Sequence, residues 1–488
     1  MDLSLIGIVV AAILLCVSAF LGPPLIVATI ASFAFGATAI GSLPALGGSS
    51  PLIYIVPGCM LIAALAVRRG TIPKLGIVLM RDQTTWAVLL LAVYAAAGAV
   101  ILPRLFEGAT TSFVTSRLVG VFESSLAPGP GNISQTAYFL FGALIFAAFS
   151  ILLLQPQAIR PVARGFFLWA ALTATFGVID RVGKLIGAGD VLEPIRTASY
   201  AMLTGADLTL GNVTRISGAF SEASAFGGAA LASFGFSFAY WRRTGSSRAL
   251  GLAIVLLILV LLSTSTTAYA GFAFLASVQI AMLARTAVTN RLIRSDLVVL
   301  MALAIGGALV LLLYLTTPGV FDPVYELFRV TILEKDESQS GIERSYWNSR
   351  SLDSFVDTFG FGIGMGSSRA SSWVIAILSQ LGFVGTALMA AIVVSLLRPC
   401  PPTPSDPSMQ WIAGLHDGAR LAALTQLFTA TISGGQADPG SQFFIALATV
   451  LACRAHLRAK LHLRNEMIAA EPPDLSRYAG AFTYATRS

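Results

Sequence analysis

The sequence predicts an all-α polytopic integral membrane protein with about twelve to fourteen transmembrane helices and one large helical outer loop. Three observations carry that expectation. The 488 residues are 56% hydrophobic and only 11% charged, with a mean hydropathy of +0.80. A soluble chain of this length cannot hide that much apolar surface. The apolar residues fall into about thirteen runs, each roughly long enough to cross ~30 Å of hydrocarbon at 1.5 Å per residue. The basic residues come in short clusters in every second connection, a pattern that belongs to membrane topology.

The same counts exclude other classes. Net charge is +7, but it is dispersed, whereas nucleic-acid binding calls for a continuous basic face. Cys16, Cys59, Cys400 and Cys453 are scattered without a C-x-x-C and read as small apolar residues. The sequence has no P-loop, no H-E-x-x-H and no strand-borne G-x-G-x-x-G, so soluble nucleotide chemistry has no foothold.

In chain order, residues 3–20 read as a retained first span, because Asp2 and no basic residue precedes the apolar run. Further spans are expected near 24–41, 51–67, 84–102, 136–154, 164–182, 218–240, 249–266, 268–284, 296–316, 371–397, 418–433 and 440–454. The basic clusters fix the orientation. They are Arg68, Arg69, Lys74 and Arg81; Arg160 and Arg164; Arg242, Arg243 and Arg248; Arg285, Arg291 and Arg294; and Arg454, Arg458, Lys460 and Arg464. The positive-inside rule places all of them in the cytoplasm, with the N-terminus outside and the C-terminus inside. The chain then divides into ten spans over 1–316, a large periplasmic loop at 317–370, the remaining spans over 371–454, and a cytoplasmic tail at 455–488.

The outer side holds the long connections, 103–135, 183–217 and 317–370. The last is net acidic, and its segments 323–333 and 351–359 space apolar residues by three or four, as amphipathic surface helices do. The run P-P-T-P-S-D-P at 401–407 is a stiff linker. An internal repeat is not apparent, which counts against the common transporter folds.

The chemistry concentrates in one hairpin, from Arg215 to Tyr269. Arg215 stands where an outer loop enters a span; a guanidinium grips phosphate oxygens in a fork and keeps its charge. The plain alternative is an arginine snorkelling to head groups. Glu222, seven residues on, falls on about the same helix face. It reads as a partner of Arg215, as a general base, or simply as a first-turn acid favoured by the helix dipole. Ser224 follows it, and Ser221 is placed to cap. The turn L-S-T-S-T-T-A-Y brings Ser265 and Tyr269 back to the same side, as a sugar-binding wall or as ordinary helix-end hydroxyls.

In the large loop, E-R-S-Y-W-N-S-R interleaves Arg344 and Arg350 with Tyr346, Trp347 and Asn348, a mixture suited to a phosphorylated glycan. A solvated loop with local ion pairs is the alternative. The alternating glycines over 360–366 let backbone N–H groups crowd an anion or a second segment. Arg181, between Asp180 and the nearby Lys184, joins the same side. Glu123, Arg104 and Arg117 are less specific.

Taken together, R-x-x-G-x-F-S-E-x-S at 215–224, the hydroxyl turn at 262–269, and a late outer loop with R-x-x-x-N followed by G-x-G-x-G-S resemble the O-antigen ligase/polymerase superfamily. The resemblance spans about residues 160–395, with the order of the parts carrying most of it. It implies a GT-C-type membrane glycosyltransferase acting at the periplasmic face of a bacterial inner membrane on undecaprenyl-pyrophosphate-linked oligosaccharide. It assigns pyrophosphate contact to Arg215 and Arg344, and calls for no metal and no cofactor. A chain-length regulator would be a natural partner.

Ligases of that family carry a histidine in the large outer loop. His416, His456 and His462 all fall on the cytoplasmic side here, so the polymerase reading leads. Transfer to lipid A–core by a ligase is the first alternative, and a lipid-linked glycan flippase is the second.

Overall fold

The computed structural model describes residues 2–44, 49–116, 120–199, 209–210, 213–289, 294–317, 329, 339–401, 403 and 406–470. Fifteen α-helices follow one another among them. They are α1 (Leu5–Ala19), α2 (Pro24–Ala31), α3 (Ile55–Ala66), α4 (Thr71–Arg81), α5 (Gln83–Leu105), α6 (Pro130–Leu152), α7 (Ile159–Leu185) and α8 (Ala223–Thr244). Then come α9 (Ser247–Leu262), α10 (Thr266–Val288), α11 (Arg294–Thr316), α12 (Gln339–Asp357), α13 (Trp373–Leu397), α14 (Pro407–Ser433) and α15 (Ser441–Ala470).

Six of these, α5, α6, α7, α10, α11 and α13, are long and apolar enough to cross a membrane. The pair α3–α4, bent by 105°, makes a seventh if taken as one broken span. Helices α1 and α9 are apolar but shorter, while α8, α14 and α15 have the length with a less apolar composition. Helix α11 makes the physical case most directly. Its apolar window is exposed throughout, and only Asp296 near its start is buried, held by Arg242 Nε at 2.6 Å. A helix apolar on every side and packed only at its start has the character of a membrane-spanning segment.

Two expected spans differ from their sequence reading. The run 24–41 is helical only to Ala31, with a further 3₁₀ turn to Ala34. Beyond it the chain turns back, so that Gly41 and Ser42 pair antiparallel with Leu3 and Asp2. The backbone here is satisfied by distant partners: the Ala37 N–H donates to Ala219 O at 2.9 Å, and the Ala39 N–H to Thr197 Oγ1 at 3.0 Å. The run 51–67 becomes helical only at Ile55. Helix α15 continues to Ala470, well past the boundary expected at 454.

The basic clusters gather at one end of the helical body. Arg164 donates to Leu21 O, Arg243 to Thr403 Oγ1 at 2.8 Å, and Arg81 to Ala452 O at 3.4 Å. Arg420 donates to Leu396 O at 2.9 Å. Arg454 donates to Ser395 O at 3.2 Å and Arg398 O at 3.0 Å. These last two arginines cap the open carbonyls of α13, as cations at a helix C-terminus do. Arg291 lies outside the described residues.

The body between the ends packs through small residues. Gly235 of α8 lies against Leu421 and Thr425, while Gly414 and Gly418 of α14 lie against Tyr240 and Phe236. Small side chains let two backbones approach closely.

At the other end are the long connections. Thr111–Ser116 and Gly120–Ser125 form an antiparallel hairpin within the long connection 103–135. The predicted amphipathic segment 323–333 lies, except for Arg329, outside the described residues. The segment 351–359 proves to be the second half of α12, which begins at Gln339. Its inward positions include Ser351 and Ser354, both buried, as is Thr358 just past its end. Because hydroxyls occupy that face, the apolar spacing revealed only part of the helix.

The glycine run is built into the helical body. The Ile363 and Gly364 N–H groups donate to Ser379 O (2.8 Å) and Gln380 O (2.9 Å) of α13, and the Gly366 N–H donates to Gln380 Oε1 at 2.7 Å. Helix α13 is interrupted at Gly382 (φ 61°) to receive it. A Cβ at Gly382 would stand 2.2 Å from Phe361 O, and one at Gly366 2.2 Å from Gly131 O. Of the two uses expected for these N–H groups, crowding a second segment is the one observed.

Candidate active site

The site is assembled at the loop end, from three segments that the helices deliver separately. The first is the turn 215–222 before α8. Asp180, fully buried on α7, accepts hydrogen bonds from the Ser217 N–H (2.8 Å) and the Gly218 N–H (3.0 Å). It is paired with Lys184 at 2.9 Å, and Lys184 Nζ also donates to Arg215 O at 2.7 Å. Arg196 clamps the turn from the other side through Gly218 O (2.9 Å) and Ser217 Oγ (3.2 Å), while pairing with Asp190. Thus Asp180, Lys184 and Arg196 hold the backbone that presents Arg215. Arg181 is beside Asp180 on the last turns of α7 and is half-buried.

Arg215 and Glu222 are not on a helix. Residues 215–222 are turn, and α8 starts at Ala223 with Glu222 at its N-cap position. The expectation that seven residues put the pair on one helix face is therefore corrected, because the Asp180-anchored turn replaces the first two helical turns. Ser221 is not the cap, and the Glu222 side chain makes no capping bond. That carboxylate instead accepts from the Ser224 hydroxyl and is exposed.

The second segment is the turn before α10. Ser265 is buried and caps α10 through the Ala268 N–H at 3.3 Å, packing against Gly227. Tyr269 donates to Leu261 O at 2.8 Å, within electrostatic range of Arg215. Between them, Thr264 is held at φ 49°, a conformation that costs a β-branched residue about 1–3 kcal/mol. Strain of this kind at a polar turn marks a geometry imposed by its surroundings.

The third segment is α12 with the loop that follows. The helical period sorts its residues into two sets. Tyr346 and Arg350, one turn apart, face the hairpin: the Tyr346 hydroxyl donates to Glu123 Oε2 at 2.6 Å, and Arg350 pairs with Glu123 at 3.3 Å. Hydrogen bonds from Thr111 and Tyr346 hold the Glu123 carboxyl below the usual carboxylate range. Arg344 and Asn348, also one turn apart, face the following loop, where Asn348 Oδ1 accepts from the Ser371 N–H at 2.8 Å.

That loop contributes a residue the sequence reading missed. Arg369 lies over the Trp347 ring, 5.2 Å from its centroid, and against Gly435 of the loop between α14 and α15. Burial pulls its pKa below the usual arginine range, with the Glu222 charge opposing the shift and the Arg344 charge adding to it. Arg369 is therefore within electrostatic range of both Glu222 and Arg344. Neither arginine makes a hydrogen bond or ion pair among the described residues. The signal was available in G-S-S-R, an arginine directly after the glycine run. Arg117 lies outside the described residues.

The loop 434–440 adds Asp438, likewise missed. Its Oδ1 accepts from the Gly440 N–H at 2.9 Å. Burial pushes its pKa up to about 6, although part of its surface remains accessible.

At the opposite end Cys400, His416 and Asp417 place ligand atoms within 4.8 Å of one another, a proximity invisible in the spacing. Arg243 and Arg454 lie within electrostatic range of Cys400, and Arg420 and Arg454 of His416. The Cys400 thiol is pushed up to about 12 by burial. A protonated thiol among arginines is a poor setting for a dication.

The loop-end arrangement thus offers two neighbouring guanidiniums without acceptors among the described residues, a carboxylate, and an indole face. Such a set binds a polyanion that carries an apolar or sugar face. No family model and no curated protein matches the chain, so these residues are what a functional reading has to rest on.

Proposed function

We propose that the chain is a bacterial inner-membrane polysaccharide polymerase, joining undecaprenyl-pyrophosphate-linked repeat units at the periplasmic face. One observation carries the reading. Arg344 and Arg369 lie within electrostatic range of each other and of Glu222, Arg369 shielded by burial, and neither has an acceptor among the described residues. Two like charges in a shielded site repel each other strongly, and a bound diphosphate turns that cost into attraction. In this reading α1, α8, α9, α14 and α15 span alongside the qualifying helices, about twelve spans in all. The arginine-rich end is cytoplasmic, and all three histidines lie on α14 and α15, away from α12, which favours polymerase over ligase.

The chemistry follows from the charges. An acceptor sugar hydroxyl attacks the anomeric carbon of the donor. The new C–O bond forms as the bond from that carbon to the diphosphate oxygen breaks. Undecaprenyl pyrophosphate departs with the electron pair, its developing charge met by Arg344, Arg369 and Arg215. The hydroxyl proton passes to a carboxylate, for which Glu222 is best placed. Trp347 supplies a face for a sugar ring, and the polyprenyl tail lies in lipid beside the helices.

The test is turnover by purified protein with an undecaprenyl-pyrophosphate oligosaccharide, resolved by gel. A ladder is expected, absent in Arg344→Ala and sharply reduced in Glu222→Gln. A single transfer to a second acceptor would indicate a ligase instead, and unchanged donor would remove the enzymatic reading.

A further inference from the structure

The arginine-rich end contains a small open crevice of about 50 Å³ between α4, α5, α6 and α15, lined by Arg81, Asp82, Thr85, Ser150, Arg454 and Arg458 among others. Three guanidiniums face one carboxylate there. Asp82 Oδ1 accepts from the Thr84 N–H at 2.8 Å and the Thr84 hydroxyl at 2.6 Å, and its single charge, within electrostatic range of Arg81 and Arg454, leaves the cluster net positive.

The arginines differ in how far the protein satisfies them. Arg454 is 2% exposed. Two of its nitrogens cap α13, while its buried Nε–H has no acceptor. Arg81 makes one long bond, at 3.4 Å to Ala452 O. Arg458 makes no hydrogen bond or ion pair among the described residues. A buried, unsatisfied guanidinium N–H is costly, and an anion in the crevice would satisfy it.

The walls point to the kind of anion. Helix α4 contributes Val78 and Arg81 to the crevice and turns other apolar residues outward: Ile72 is 84%, Ile77 55% and Met80 92% exposed. An amphipathic helix with basic residues and an outward apolar side lies in a membrane interface. A ligand reaching the crevice along that helix would be anionic at its head and apolar behind it.

We propose that this crevice binds the phosphate of an anionic phospholipid, with the acyl chains lying along Ile77 and Met80 of α4. The site stands apart from the loop-end residues and holds whatever reaction they perform. Arginine suits it because its planar fork matches phosphate oxygens, and basic pockets on the cytoplasmic side of membrane proteins take lipid head groups.

The experiment uses the full chain in detergent, titrated separately with phosphatidylglycerol, phosphatidylcholine and inorganic phosphate, and read by thermal unfolding and native mass spectrometry. Phosphatidylglycerol should raise Tm and remain bound, and the other two should not. Arg81→Gln with Arg458→Gln should weaken that binding by roughly fivefold for each arginine removed. Arg454 is left intact because it holds the end of α13. Equal stabilisation by phosphatidylcholine would reduce the site to apolar contact, and equal stabilisation by inorganic phosphate would make it a free-anion site. Either result overturns the proposal, as does a double variant that retains the full phosphatidylglycerol shift.

Discussion

Two sets of arginines at the two ends of this molecule are used in opposite ways, although Arg196 and Arg350 at the loop end are paired and Arg458 at the other end is not, among the described residues. At one end Arg242, Arg420 and Arg454 donate to a carboxylate and to the last carbonyls of α13. At the other, Arg344 and Arg369 donate to nothing among the described residues, although burial shields Arg369. An arginine with satisfied donors holds the fold together. A shielded arginine without acceptors is held by the fold for something else, because leaving it so costs stability that a ligand can return.

The sharpest way to break this contrast is a pair of alanine variants. Arg369→Ala should lower polymer formation by about 10²–10³-fold, the usual cost of losing a charge-stabilising donor, with Tm unchanged. Arg454→Ala should do the reverse. It leaves buried carbonyls at the end of α13 unpaired, at about 1–3 kcal/mol each, so Tm and yield fall while folded protein stays active. If Arg369→Ala unfolds the protein as readily as Arg454→Ala, the distinction fails.

A smaller effect separates buried from accessible carboxyls at the loop end. Asp438 rises from 3.8 to about 6 on folding, so the folded state holds a proton that the unfolded state releases first. Its ionisation opposes folding: stability should fall as pH rises from about 4 to about 6 and stay lower above that. The span corresponds to about 3 kcal/mol at most. Asp438→Asn should therefore raise Tm at pH 7.5 and leave it unchanged near pH 4. Parallel melting curves for the two proteins across that range would exclude the assignment.

The smallest effect concerns the attachment of α12 to the hairpin. Glu123 is held below the usual carboxylate range, so its contribution is complete above its unfolded value of about 4.3 and lost as pH falls through the folded one. Protection factors of amides across 339–357, corrected for the intrinsic rate at each pH, should fall below about pH 4. Tyr346→Phe should cost about 1 kcal/mol at neutral pH and quicken the same amides. Exchange that ignores both changes would mean that other contacts dock the helix.

How much of this could be read beforehand depended on where apolar residues carried the signal. Helices α5, α6, α7, α10, α11 and α13 were legible because lipid-facing and core-facing positions are both apolar. Residues 24–41 misled for the same reason: Ala37 and Ala39 are buried, but in an extended segment rather than a helix. Helix α12 was half-seen because hydroxyls replace apolar residues on its inner face. In the site, Arg215, Glu222 and Arg344 stood out by charge against an apolar background. Arg369 was hidden by the glycines before it, which drew notice to their N–H groups instead of the guanidinium they deliver. Cys400, His416 and Asp417 meet only through packing, and no spacing announces that.

The break in α13 at Gly382 has a consequence for variation in this chain. The glycine segment is clamped at both ends, by Thr358 (Gly362 N–H to Oγ1, 3.1 Å) and by Gln380 (Nε2 to Ser368 O, 2.8 Å), with Arg369 one residue beyond. It behaves as a part of fixed length. One inserted residue would break the pairing with Ser379 and Gln380 and carry Arg369 away from Trp347. Variation that reshapes the loop end would have to fall in α12, the hairpin or the 434–440 loop, while the spacing from Gly360 to Arg369 stays constant.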